Sequence, residues 1–153
     1  MDLNIDTKAI IDQINKSNFL PGLYIVSTPI GNLADISIRS LSILSLSSFI
    51  LCEDTRTSKK LTTKYGIKNK LKPFHKFNST REIPDIINKL KAGLIISMIS
   101  DAGTPLISDP GESLVNTCID EKIPIYSIPG ASSVLGSIVV SGLENGTVYT
   151  DTY

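Results

Sequence analysis

The stretch Leu94-Ile95-Ile96-Ser97-Met98-Ile99-Ser100-Asp101-Ala102-Gly103-Thr104-Pro105-Leu106-Ile107-Ser108-Asp109-Pro110-Gly111 decides how the chain is read. Its first part, Leu94 to Ile99, is a short Ile-rich run with the length of a buried strand. The run breaks at Ser100 to Pro105, a cluster of small, polar and turn-forming residues. At its end, Asp109-Pro110-Gly111-Glu112 places a cap residue, a Pro at the first helical position and a Glu three residues after the cap. A helix is therefore expected to start at Asp109, with Leu114, Val115, Cys118 and Ile119 on one face. Strand, tight loop and helix form the repeating unit of a parallel sheet, and the loop then lies at the carboxyl edge, the usual ligand crevice of open α/β folds.

The same unit recurs on both sides of this stretch. Upstream, Leu23 to Ser27 reads as a strand ending at Thr28-Pro29-Ile30-Gly31-Asn32, after which Asp35 is expected to cap a helix carrying Ile38, Leu41, Ile43 and Leu44 inward. Phe49 to Cys52 reads as the next strand, ending at Glu53-Asp54-Thr55-Arg56 and leading into a helix that Gly66 closes. A brief strand at Leu71 to Phe74 precedes His75-Lys76-Phe77-Asn78. Ser79-Thr80-Arg81-Glu82 then has capping-box spacing, although Pro84 suggests a boundary a residue or more later. Downstream, Ile123 to Ile128 meets Pro129-Gly130-Ala131-Ser132-Ser133, and Val134, Leu135, Ile138 and Val139 mark an amphipathic helix that Gly142 ends. A short leading helix is expected around Ile10, Ile11 and Ile14. Five strands alternating with helices predict an α/β fold, a mainly parallel five-stranded sheet with helices on both faces.

Composition narrows the function classes. A chain of 153 residues that is 41% hydrophobic supports one sizeable core. Lys+Arg and Asp+Glu each total 15, so there is no bulk basicity to hold nucleic acid, and a polyanionic partner needs a local patch. The amino terminus carries acidic residues and no basic segment ahead of an apolar run, and no apolar run reaches membrane-spanning length, which points to the cytoplasm. Cys52 and Cys118 lack paired metal-ligand spacing and read as reduced core residues, so no metal site is expected.

Three post-strand loops share small residues: Thr28 to Asn32, Ser100 to Pro105, and Pro129 to Ser133. Each alone is an ordinary tight turn, but three at one sheet edge suggest a cleft in which a ligand approaches backbone N–H groups and helix N-termini. None has the Gly-x-Gly-x-x-Gly or Gly-Lys-Ser/Thr pattern, so a common dinucleotide or triphosphate site is disfavoured. Glu53-Asp54-Thr55-Arg56 puts two carboxylates and a guanidinium at a strand end. They either orient a substrate and accept a proton, or Asp54 or Thr55 caps the helix while Arg56 pairs with Glu53. His75, the single histidine, stands near Lys76, Arg81, Phe74 and Phe77, a grouping suited to phosphate and base stacking or to a purely structural role.

Taken together, Tyr24 to Asp35, Glu53 to Arg56, Ser100 to Gly111 and Pro129-Gly130-Ala131 resemble the bacterial 16S ribosomal RNA cytidine-2′-O-methyltransferases, a branch of the tetrapyrrole methylase superfamily. The resemblance covers about Leu20 to Leu143 and implies transfer of the methyl group of S-adenosylmethionine to a ribose 2′-hydroxyl of 16S rRNA in the small ribosomal subunit, by a homodimer. It implies that Thr28, Pro29, Gly31, Asn32, Asp101, Ala102, Gly103, Thr104, Pro105, Ser108, Pro129, Gly130, Ala131 and Ser132 line the cofactor pocket. Glu53 and Asp54 are the candidate catalytic carboxylates, and Arg56 and His75 the candidate contacts to RNA phosphate. Residues 1–19 read as an extension, 20–143 as the amino-terminal methylase domain and 144–153 as a divergent tail, with the family's second domain expected to be absent. A non-catalytic, dimerising α/β module and a small-molecule methyltransferase are the alternatives.

Overall fold

A computed structural model describes residues 19–106 and 111–142. The expected leading helix, Ser108, the Asp109-Pro110 helix start and the tail from Glu144 lie outside the described residues. The strands are β1 (Gly22–Val26), β2 (Phe49–Cys52), β3 (Lys70–Pro73), β4 (Ile95–Ile99) and β5 (Ile125–Ile128). The helices are α1 (Ile38–Leu46), α2 (Thr55–Lys64), α3 (Ser79–Lys91), α4 (Glu112–Asp120) and α5 (Ser133–Val140), and a 3₁₀ turn, Leu33–Asp35, precedes α1. All pairings are parallel, in the order β3-β2-β4-β1-β5, with Leu23 opposite Ile96 and Ile125, and Leu51 opposite Met98.

This order fixes where the helices lie. From β1 the chain moves toward β3 through α1 and α2, then reverses through α3 and α4 toward β5. Right-handed crossovers moving in opposite directions must use opposite faces. One core accordingly joins Leu41, Ile43 and Leu44 of α1 to Tyr24, Val26, Ile50 and Ile128. The other joins Ile86, Ile87 and Leu90 of α3 and Leu114 and Cys118 of α4 to Leu23, Leu51, Ile96 and Met98. The fully buried Ile and Leu side chains contribute about 1.5–3 kcal/mol each. Ser97, a polar residue inside the central apolar strand, is satisfied by a 2.6 Å hydrogen bond between its Oγ and Ser47 Oγ. Both cysteines are buried free thiols, and burial pushes Cys118 up to about 11.

Several local expectations are corrected. Ser37, not Asp35, caps α1, because its Oγ accepts from Ser40 N at 3.0 Å while Asp35 completes the preceding 3₁₀ turn. The capping box at Ser79 does not form. Asn78 is the N-cap residue and its Oδ1 accepts from His75 N instead, while Glu82 pairs with Lys72. Pro84 does not shift the boundary later; it sits inside α3 on the exposed side, as does Thr80, whose carbonyl loses its donor. The helix after β4 starts at Glu112 with Gly111 as cap, and its Ile119 is exposed. The largest departure is α5, which buries none of its residues: Val134, Leu135 and Val139 are exposed rather than inward.

Candidate active site

The central strand β4 leaves toward the α4 face, whereas its neighbours β1 and β2 leave toward the other, so a crevice opens outside the carboxyl end of β4. The chain then locks the loops that border it. Thr28 N donates to Gly103 O at 2.8 Å and Gly103 N donates back to Thr28 O at 3.2 Å, an isolated antiparallel bridge between the β1 and β4 loops. Thr28 Oγ1 donates to Ser100 O and Gly103 O at 3.2 and 3.3 Å, and Ser27 Oγ shares a 2.8 Å hydrogen bond with Thr104 Oγ1. Gly103 takes φ +77°, open to glycine at little cost. At Gly130 a Cβ would stand 2.7 Å from Ser27 Cβ, so the β5 loop rests directly on the end of β1.

Two hollows border these locked loops. The larger, a cleft of about 380 Å³, is walled by Ile30, Ala102, Gly103, Thr104 and the start of α5, Ala131 to Val134. Ser132 caps that helix, its Oγ accepting from Leu135 N at 3.4 Å. The smaller, about 220 Å³, lies among Thr28, Pro29, Leu33, Ser100, Asp101 and α2. Ala102, Gly103, Thr104, Ala131 and Ser132 of the expected pocket thus line the cleft, while Thr28, Pro29 and Asp101 line the second hollow. Pro105 is buried beside Cys52 and Glu53. Gly31 and Asn32 are exposed, and Asn32 caps the 3₁₀ turn. Ile30 and Ser133 in the cleft belong to the loops expected to border it, whereas Val134 in the cleft, and Leu33 and the α2 wall in the hollow, were not anticipated. The capping spacing of Ser132, which starts the helix carrying Val134, was the available signal for that residue.

The β2 loop borders the same crevice. Asp54 caps α2, its carboxylate accepting from Arg56 N at 2.7 Å and from the Arg56 guanidinium at 2.8–3.2 Å. Those Arg56 hydrogen bonds hold the Asp54 carboxyl down at about 2. Arg56 therefore pairs with Asp54 and not with Glu53, which is exposed. Asp54 N reaches Asp101 Oδ1 at 3.4 Å, tying the β2 loop to the β4 loop. Farther out, His75 Nδ1 is buried without a partner and its ring meets Phe77 edge-on at 6.1 Å. Phe77 is 96% exposed, whereas Phe74 belongs to the core. Among the described residues no cluster of three or more His, Cys, Asp or Glu is placed to hold a metal, and no helix is long and apolar enough to cross a membrane.

Residues 22–148 match the family described as Tetrapyrrole (Corrin/Porphyrin) Methylases. The chain belongs to the tetrapyrrole methylase family. Among its relatives, a protein of Mesorhizobium japonicum named Ribosomal RNA small subunit methyltransferase I is 46% identical over 125 residues, 82% of this chain and 42% of that protein. One of Mesomycoplasma conjunctivae with the same name is 50% identical over 126 residues, 82% of this chain and 52% of that protein. The chain thus spans about half the length of the relatives it matches. Solved structures of diphthine synthase (TM-score 0.63, 15% identity, 80% of this chain and 49% of that one) and of a cobalt precorrin-4 methyltransferase (TM-score 0.61, 17%, 80% and 51%) share the fold.

Tetrapyrrole methylases take their methyl group from S-adenosylmethionine. The cleft suits such a molecule: Ala102, Gly103 and Ala131 admit it to the backbone, and Thr104, Ser132 and Ser133 offer hydroxyls beside a helix N-terminus.

Proposed function

We propose that this chain is the cofactor-binding amino-terminal part of a methyltransferase that modifies the ribose 2′-hydroxyl of a cytidine in 16S rRNA of the small ribosomal subunit. The observation that carries this reading is the Thr28–Gly103 bridge, which joins the two most distinctive sequence strings into one wall of a cleft. The 46–50% identity to proteins named for rRNA methylation supports the substrate class. Bound S-adenosylmethionine supplies an activated sulfonium methyl group that needs little further activation. The protein's task is then to align the attacking oxygen, exclude water and take up the hydroxyl proton.

Within that division of labour, Ala102, Gly103, Thr104, Ala131 and Ser132 hold the cofactor. Asp54, already committed to Arg56 and the α2 cap, is a weak proton acceptor and acts by positioning the loop through Asp101. Glu53, exposed and without such bonds among the described residues, is the proton acceptor we favour. Arg56 and His75 face the RNA backbone. The chain works in the cytoplasm as a homodimer, and the apolar side of α5 is covered there by the second half that the longer relatives possess.

Calorimetry with S-adenosylmethionine tests the first step and transfer of labelled methyl into 30S rRNA the second. The expected outcome is saturable binding, with label entering rRNA when the chain acts as part of a protein of the relatives' full length. No heat at millimolar ligand would sink the proposal. The exposure of α5 favours one rival, a non-catalytic module that dimerises through that face. Sedimentation showing a tight dimer without cofactor binding would establish it.

A further inference from the structure

The cleft and the smaller hollow share no lining residue, yet each is walled by both the β1 loop and the β4 loop. Any group that must react with a molecule in one of them is best delivered from the other. We propose, resting on the rRNA reading above, that the smaller hollow receives the flipped pyrimidine base of the nucleotide to be methylated, so that its ribose lies over the Thr28–Gly103 bridge.

Size, lining and rigidity agree. At about 220 Å³ the hollow is below the usual range for drug-sized ligands and suits a single heterocyclic ring. Pro29, Leu33 and Leu61 supply apolar walls of the kind that stack on an extruded base. Thr28, Pro29, Ser58, Leu61 and Ser100 are buried, whereas Lys60 and Asp101 are exposed and Thr57 is half-buried, so the floor is closed and the polar groups stand at the rim. Cytosine presents one exocyclic amine and two acceptors along its pairing edge. The Asp101 carboxylate accepts from the amine, and the Lys60 ammonium and Thr57 hydroxyl donate to the ring nitrogen and carbonyl. The walls are held before any ligand arrives: Tyr65 Oη donates to Leu33 O at 2.6 Å, and Asp54 N donates to Asp101 Oδ1. Ser58 Oγ, which approaches the soft Cys52 sulfur and has no partner of normal hydrogen-bond geometry, closes the bottom.

The test is an amide NMR titration of this chain with cytidine 5′-monophosphate, adenosine 5′-monophosphate and S-adenosylmethionine at millimolar concentration. Cytidine monophosphate is expected to shift Leu33, Thr57 and Leu61, and S-adenosylmethionine to shift Gly103, Ala131 and Ser132, each in the presence of the other. Leu61→Phe, which fills the hollow, abolishes the cytidine response and leaves the cofactor response; Lys60→Ala, at an exposed position where folding is not at stake, weakens it severalfold. The inference is overturned if cytidine monophosphate moves none of these amides, if adenosine monophosphate moves them equally, or if S-adenosylmethionine occupies the hollow and cytidine monophosphate displaces it. Absence of any cofactor response would count against the methylase reading alone, since the cytidine response is read separately.

Discussion

Helices α4 and α5 follow adjacent units of the same kind, each after a parallel strand and a small-residue loop, yet they end in opposite circumstances. α4 buries Leu114 and Cys118 completely, while the more apolar α5 buries nothing. The local signals run the other way. α5 has a side-chain cap in Ser132, whereas α4 begins at Gly111 with no side-chain cap at all. The difference lies in connection: α4 must carry the chain from β4 across to β5, which presses it onto the sheet, and no further strand follows α5 among the described residues. Helical periodicity reports that a face is apolar; the partner that covers it is set by topology.

The sharpest way to break the comparison is to truncate both helices. Leu114→Ala is expected to destabilise the chain by about 3 kcal/mol in urea unfolding, through lost transfer energy and the cavity left behind. Val139→Ala in α5 is expected to stay within about 0.5 kcal/mol, as for exposed positions generally. Comparable losses at the two sites would mean that α5 is packed in solution.

A smaller effect is expected where the β5 loop meets the sheet. A Cβ at position 130 would overlap Ser27 Cβ at 2.7 Å, so Gly130→Ala must push the α5 loop away from β1. The expected stability loss is about 1–2 kcal/mol, as for modest overpacking, and S-adenosylmethionine binding should weaken by roughly tenfold or more. Undiminished affinity would mean that the start of α5 does not shape the cofactor cleft. At the same junction, Ser132→Ala removes the cap and is expected to cost α5 about 1 kcal/mol, seen as faster amide exchange confined to that helix, with little change in global unfolding.

These contrasts mark how far the sequence could be read. Strands β1, β2, β4 and β5 followed from short apolar runs that end at polar or turn-forming residues, because buried parallel strands leave a continuous apolar signature, whereas the edge strand β3, Lys70–Pro73, is half-exposed and shows only a brief one. Two of the three loops were legible from their glycines, since Gly103 and Gly130 sit where a side chain is strained or excluded, whereas Gly31 of the third has open space around it. The α2 side of the second hollow was not legible. Thr57, Ser58, Lys60 and Leu61 look like ordinary helix residues, and only the packing of α2 beside the β1 loop turns them into a wall. Cap residues misled at Asp35 because Ser37, two residues on, caps α1 instead, and at Ser79 because Asn78 takes the N-cap position while its own side chain turns back to accept from His75 N.

The mildest prediction concerns a helix start that is neither buried like α4 nor bare like α5. The Asp54 carboxyl is held at about 2 against an ordinary 3.8 by hydrogen bonds from Arg56, so the folded state binds this proton less readily than the unfolded chain does. The sign follows: its contribution is present above pH 3.8 and is lost as pH falls toward 2. Because the pair is open to solvent, the slope is shallow and salt weakens it further. Asp54→Asn keeps a side chain able to cap but discards the charge. In acid titrations followed by circular dichroism, the variant should therefore show a flatter loss of stability across that interval while matching the parent's helix content at neutral pH. An identical acid slope would mean that the Arg56 pair does not persist in solution, and with it would go the reason for denying Asp54 the role of proton acceptor.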